Sequence, residues 1–195
     1  MRRLIVGIAL AVVATGPFEI LAQQPPPQPE LGLNSRGRPR VSPRRTAEGV
    51  VDGVHVRLEW GSPYKRGRVI WGTLVPWGKW WMPGADETTT ITTDADLLVG
   101  DLLVPAGVHS IYTIPGDETF ELVINKGTNL FHTEYPSHLD LGQVPMERRG
   151  IFDYVLEQLT FSIGSRPLLG QGSGAWLTIG WDDREYSVGL AAPRP

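Results

Sequence analysis

Between Ser62 and Thr93 the chain reads SPYKRGRVIWGTLVPWGKWWMPGADETTTITT, which holds Trp71, Trp77, Trp80 and Trp81, four of its seven tryptophans. Indole faces stack on sugar rings and anchor protein partners, each burying on the order of 150–250 Å². The same rings can equally plug a core. Trp80 and Trp81 are neighbours, so on an extended backbone they point to opposite faces, one inward and one outward. Asp86 and Glu87 follow in the same stretch. Two carboxylates cleave a glycosidic bond only when both face one substrate about 5–10 Å apart. Adjacent side chains on a strand diverge, so this pair needs Glu59, Asp94 or Asp96 brought up by folding. Otherwise Asp86 caps a turn and Glu87 pairs with Arg68 or Lys79. Arg68, in Lys65-Arg66-Gly67-Arg68, suits bidentate capture of a carboxylate or phosphate, or a tie from its loop to Asp86 or Glu87. Gly67 and Gly84 are expected to supply positive backbone angles. The candidate ligand-binding set is therefore Arg68, Trp77, Trp80, Trp81, Asp86 and Glu87.

Other chemistries find less support. The chain has no cysteine, which removes disulfides, thiolate metal sites and thiol nucleophiles. His55, His109, His132 and His138 lack metal-ligand spacing. His55 and His109 fall on separate strands and could meet only across a sheet. No G-x-S-x-G elbow is present, and Gly170 to Gly174, GQGSG, precedes a strand rather than a helix, so it is a flexible loop and not a phosphate cradle. No cofactor and no metal is implied.

The elements that must position these groups are short and alternating. Val54, Val56, Leu58 and Trp60 face one way and His55, Arg57 and Glu59 the other, a half-buried strand. Similar runs recur at 88–93, 107–114, 119–125, 155–163, 175–181 and 185–190, with turn signals at Gly100-Asp101, Pro105-Ala106-Gly107, Pro115-Gly116-Asp117 and Asp182-Asp183. Only Pro145 to Gly150 and Asp153 to Gln158 have room for a helical turn. The pattern predicts an all-β, antiparallel β-sandwich, jelly-roll or immunoglobulin-like in character.

The N-terminus carries Arg2 and Arg3, an apolar run from Leu4 to Ala14, then Gly16-Pro17. That is the form of a secretory signal, and the run is well short of the roughly 20 residues that span a bilayer. Residues 1–22 are read as the signal peptide, leaving no transmembrane segment after cleavage and an exported, periplasmic or secreted, protein. Residues 23–45 begin QQPPPQPE and continue with Arg36, Arg38, Arg40, Arg44 and Arg45. They are read as a disordered, Pro/Arg-rich linker. Residues 46–192 form the sandwich domain. From Thr46 onward 11 Lys and Arg stand against 19 Asp and Glu, a balance of −8. Such a body lacks the basic face that nucleic acid requires.

Ser62-Pro63, Gly67-Arg68, Leu74 to Lys79 (LVPWGK), Gly84 to Glu87 (GADE), Val104 to Gly107 (VPAG) and Tyr112 to Pro115 (YTIP) occur in order. Over roughly Val41 to Leu190 the chain resembles the secreted bacterial family known as domain of unknown function 2911. The resemblance implies a compact β-sandwich behind an export signal and implies no activity. That family typically reads Trp-Arg-Thr-Gly-Ala-Asn-Glu where this chain has Trp81, Met82, Pro83, Gly84, Ala85, Asp86 and Glu87. A cation set beside Glu87 by the residue at 82 is therefore missing here.

Taken together, the residues favour a non-catalytic module that binds a small molecule, a glycan or an envelope protein. The alternative is a hydrolase of unfamiliar type using Glu87 or Asp86, with His109 or Tyr112 assisting. A third reading gives the interacting role to the arginine-rich segment alone.

Overall fold

The alternation of Val54, Val56, Leu58 and Trp60 is realised as a strand whose apolar side chains are buried while His55 and Arg57 stay in solvent. This computed structural model describes residues 31–165 and 174–194. The expected signal peptide, residues 23–30 of the expected linker and Gly170 to Ser173 of the glycine-rich loop lie outside them.

Ten strands follow in chain order: β1 (Arg44–Val51), β2 (Val54–Gly61), β3 (Thr90–Thr93), β4 (Leu97–Val99), β5 (Leu102–Val104), β6 (Gly107–Pro115), β7 (Phe120–Asn125), β8 (Asp140–Pro145), β9 (Glu147–Ser165) and β10 (Ala175–Ala191). Two antiparallel sheets form, ordered β1-β2-β3-β6-β7-β8 and β5-β4-β10-β9. Their inner faces meet in a core that includes Leu58, Ile91, Ile111, Leu122 and Ile124 from the larger sheet and Leu97, Leu159, Leu177 and Ile179 from the smaller. The fold is the expected antiparallel β-sandwich. Its edges draw together: a Cβ on Gly49 of β1 would meet Ile163 of β9 at 2.7 Å, and one on Gly142 of β8 would meet Leu102 of β5 at the same distance.

Several expectations need correction. Of Pro145 to Gly150 and Asp153 to Gln158 all but Met146 are strand, not helix: Pro145 ends β8, and β9 pairs along β10 from Ser187↔Glu147 to Ala175↔Ser165. That long-range ladder overrides the local signal. The runs at 175–181 and 185–190 are one strand, bent by register shifts between Gly180 and Tyr186, with Asp182 at φ 56°. The first strand of the sandwich begins two residues ahead of the boundary expected at 46. Strand β1 starts at Arg44 and pairs with β2 through a two-residue turn at Asp52-Gly53, φ 49° and 90°. Positive φ at both centres is what a type I′ hairpin requires, and Asp-Gly between apolar residues is its sequence signal. Nor are residues 31–45 a free spacer. Leu33 bridges Pro39, and the turn between them is seated on the sandwich.

Candidate functional site

The turn at 32–40 is organised by one side chain. Asn34, 8% exposed, uses its Oδ1 to accept the backbone N–H groups of Arg36 and Arg38, each at 3.0 Å. Its Nδ2 donates across to Asp86 Oδ1 at 2.7 Å. A short polar side chain that bonds its own backbone can close a turn, and here it also docks that turn. The docking is completed at Glu87. Arg40 Nη1 donates to Oε2 at 2.5 Å, Arg40 Nη2 to Oε1 at 2.7 Å, and the Ser35 N–H to Oε1 at 2.5 Å. Arg36 lies over the Phe131 ring at 3.8 Å and pairs with Glu134 at 2.9 Å.

The cation beside Glu87 is thus Arg40, not Arg68 or Lys79. With Met82 buried where the family resemblance places an arginine, the charge comes from a segment that sequence reasoning took for linker. Burial by itself raises the Glu87 pKa. The bonds from Arg40, from the carboxylate's own backbone N–H and from Ser35 outweigh it and bring the group from 4.5 to about 2. Arg40 moves upward, mainly through the same bond to Glu87. A carboxylate so held stays ionised and has both oxygens engaged, which suits structure and not proton transfer near neutral pH.

Asp86 has φ 64°, the left-handed region that Asp tolerates better than most residues. This angle sits at Asp86 and not at Gly84. Gly84 is required by crowding instead, since a Cβ there would lie 2.6 Å from Thr89 Oγ1 and 3.0 Å from Met82 Sδ. Gly67 does take the expected positive angle, φ 69°. The Asp86 carbonyl accepts the His132 backbone N–H at 2.8 Å, and Glu87 bridges Phe131, so the 84–88 and 130–132 segments are zipped together.

Beside this zipped region lies a cavity of about 890 Å³, lined by residues that include Pro39, Val41 and Ser42 from the arm, Tyr64, Arg66 and Arg68 from one loop, and Trp80, Trp81, Asp86, His132 and Trp181. The volume falls in the range of roughly 300–1,000 Å³ usual for ligand pockets. Of the six candidates, Arg68, Trp80, Trp81 and Asp86 line it together. Trp77 and Glu87 do not. Trp77 is stacked on Trp71 at 6.1 Å and 6°, with the Arg184 guanidinium 5.0 Å from its ring. Glu87 is occupied by the arm.

The two adjacent rings behave as an extended backbone demands. Trp81 exchanges two backbone hydrogen bonds with Thr113, each 2.8 Å, and lies parallel to the core residue Trp181 at 6.1 Å and 11°. Trp80 leaves the backbone the other way, is 41% exposed, and rests on Tyr135 at 5.2 Å and Tyr112 at 6.2 Å. Both still reach the same cavity. Trp71 is core: its Nε1 donates to the Trp181 carbonyl at 3.1 Å and its ring meets Phe120 and Tyr186 edge-on.

Arg68 does not reach an acid. Its Nε and Nη2 donate to the carbonyls of Lys65 and Tyr64 at 2.9 and 2.5 Å, so it ties its own loop. That loop is held against β9 by Lys65 N to Glu157 O and by Leu159 N to Pro63 O, at 2.6 and 3.0 Å. His109 Nε2 bonds Pro105 O at 2.8 Å, and Tyr112 Oη donates to Glu134 O at 2.7 Å. The register sets Ile91 between Leu58 and His109, so His55 and His109 do not face each other.

Sequence reasoning missed Asn34, Arg40, Tyr64 and Trp181. The last was legible, since Leu177, Ile179 and Trp181 recur at every second position of β10, and all three are buried. For Arg40 no local signal existed. No curated protein and no solved structure matches this chain. The family described as Protein of unknown function (DUF2911) matches residues 42–190, most of the sandwich but not the turn that carries Asn34 and Arg40. The chain belongs to that family.

Proposed function

We propose that this chain is an exported, non-catalytic binding module that takes a carbohydrate in the cavity beside Trp80 and Trp81. The observation that carries the reading is the lining itself: three indoles, Trp80, Trp81 and Trp181, the first of them 41% exposed, among hydrogen-bonding groups on four chain segments. Sugars present apolar ring faces and a rim of hydroxyls, and such a wall answers both. A concave, part-polar surface favours a small ring over a broad protein contact, which needs about 800 Å² on each partner. The export half rests on the basic, then apolar, N-terminal sequence.

The hydrolase alternative draws less support. Glu87 is closed by Arg40, and the hydrogen bonds of His109 and Tyr112 run to backbone carbonyls rather than to either carboxylate. The test is a thermal-shift screen of the full chain against neutral and acidic oligosaccharides. A ligand that binds only the folded state raises the melting temperature by mass action. Binding that disappears in Trp80→Ala supports the module. No shift from any saccharide, or turnover of one, defeats it.

A further inference from the structure

Arg66 and Arg68 bring two positive charges to the cavity lining, and among the described residues neither forms a salt bridge. The neighbouring Lys65 of the same loop, by contrast, is paired with Asp182 at 2.7 Å. The two arginines are also presented, not dangling. Arg66 sits at φ 50°, its backbone N–H is held by Glu157 Oε1 at 2.8 Å, and its guanidinium lies 5.8 Å from the Tyr64 ring. Arg68 is fixed at Nε and Nη2 by loop carbonyls, which leaves Nη1 without an acceptor among the described residues. The one carboxylate in the lining, Asp86, is already offset. Its Oδ1 takes the Asn34 amide at 2.7 Å and its Oδ2 lies 3.6 Å from Arg40.

From this geometry we infer that the saccharide bound in the cavity is acidic, its carboxylate held by Arg66 and Arg68 while its ring lies against the indoles. The inference rests on the carbohydrate reading above and narrows it to a ligand class. Both arginines are exposed at the rim of the cavity, where a guanidinium not paired within the protein is open to a ligand carboxylate, which it can hold by charge-assisted, bidentate hydrogen bonds. A neutral sugar leaves both arginines to solvent.

The experiment uses isothermal titration of the full chain with matched oligosaccharides that differ only in charge: galacturonate, glucuronate and mannuronate trimers, each beside its methyl ester. At least one acid trimer is expected to bind about tenfold more tightly than its ester, the worth of a single charge-assisted hydrogen bond. That gap is expected to shrink with added salt and to close in Arg66→Gln and in Arg68→Gln. Arg66→Gln is the cleaner variant, because Arg68 also ties the loop; unchanged melting temperature confirms that each still folds. If esters bind as well as acids in every pair, the acidic-ligand inference fails and the carbohydrate reading stands. If no trimer of either kind binds, both fall.

Discussion

Arg40 and Glu87, 47 residues apart, face each other fork to fork, with guanidinium-to-carboxylate distances of 2.5 and 2.7 Å. Their side chains are only 12% and 22% exposed. A bidentate pair in that setting resists solvent screening better than the surface pair Arg57–Glu48, whose side chains are 47% and 61% exposed. Removing Arg40 strands a carboxylate that also holds the Ser35 N–H. Arg40→Ala is expected to cost about 1–3 kcal/mol in urea unfolding. In a double-mutant cycle with Glu87→Gln most of that cost should appear as coupling, whereas independent, additive losses would show the pair to be incidental.

The same pair makes stability depend on acid. Glu87 has its carboxyl lowered from 4.5 to about 2 in the folded chain, so its contribution is complete above about 4.5 and is lost as pH falls toward 2. Allowing for solvent screening, about 1–2 kcal/mol should disappear across that window. Glu87→Gln lacks this part of the slope. Equal acid sensitivity of the two proteins between pH 4.5 and 2 would contradict the assignment.

Asn34 is expected to be what keeps the arm seated. Asn34→Ala frees the N–H groups of Arg36 and Arg38 and breaks the bond to Asp86. Trypsin should then cut after Arg36 well before the sandwich is attacked, since local opening governs cleavage; Arg38 precedes Pro39 and is not a trypsin site. An unchanged digestion time course counts against a docked turn.

Gly61 marks where the end of β2 passes under the Asp86 loop. A Cβ there would lie 2.2 Å from the Ala85 carbonyl oxygen, a backbone atom that cannot swing aside. Gly61→Ala should cost about 1–3 kcal/mol through overpacking and weaken saccharide binding by shifting the loop. Full stability and full binding together would show the contact to be loose.

The tryptophans should separate by role. Trp71→Ala removes a ring buried among Trp77, Trp81, Phe120 and Tyr186 and is expected to cost about 3–5 kcal/mol. Trp80→Ala loses two exposed-side ring contacts worth about 0.5–1.5 kcal/mol each, yet should abolish binding. Comparable stability losses in both would place Trp80 in the core.

What the chain's own residues determine is the sandwich and the neighbourhood of the site. Period-two alternation at Val54 to Trp60 fixes which side chains are buried, because one face of each strand must leave water whatever its partners. The consecutive placing of Trp80 and Trp81 likewise fixes their divergence, since it follows from backbone geometry alone. Partners across the chain are a different matter. Arg40 for Glu87, Asn34 for Asp86 and Trp181 for Trp81 are separated by 47, 52 and 100 residues. Only the packing of two sheets brings such groups together. For the same reason an arginine-rich segment that reads as solvated tether becomes a wall of the cavity: its polar groups find acceptors on a surface that exists only after β1, β2 and the 84–88 loop have assembled.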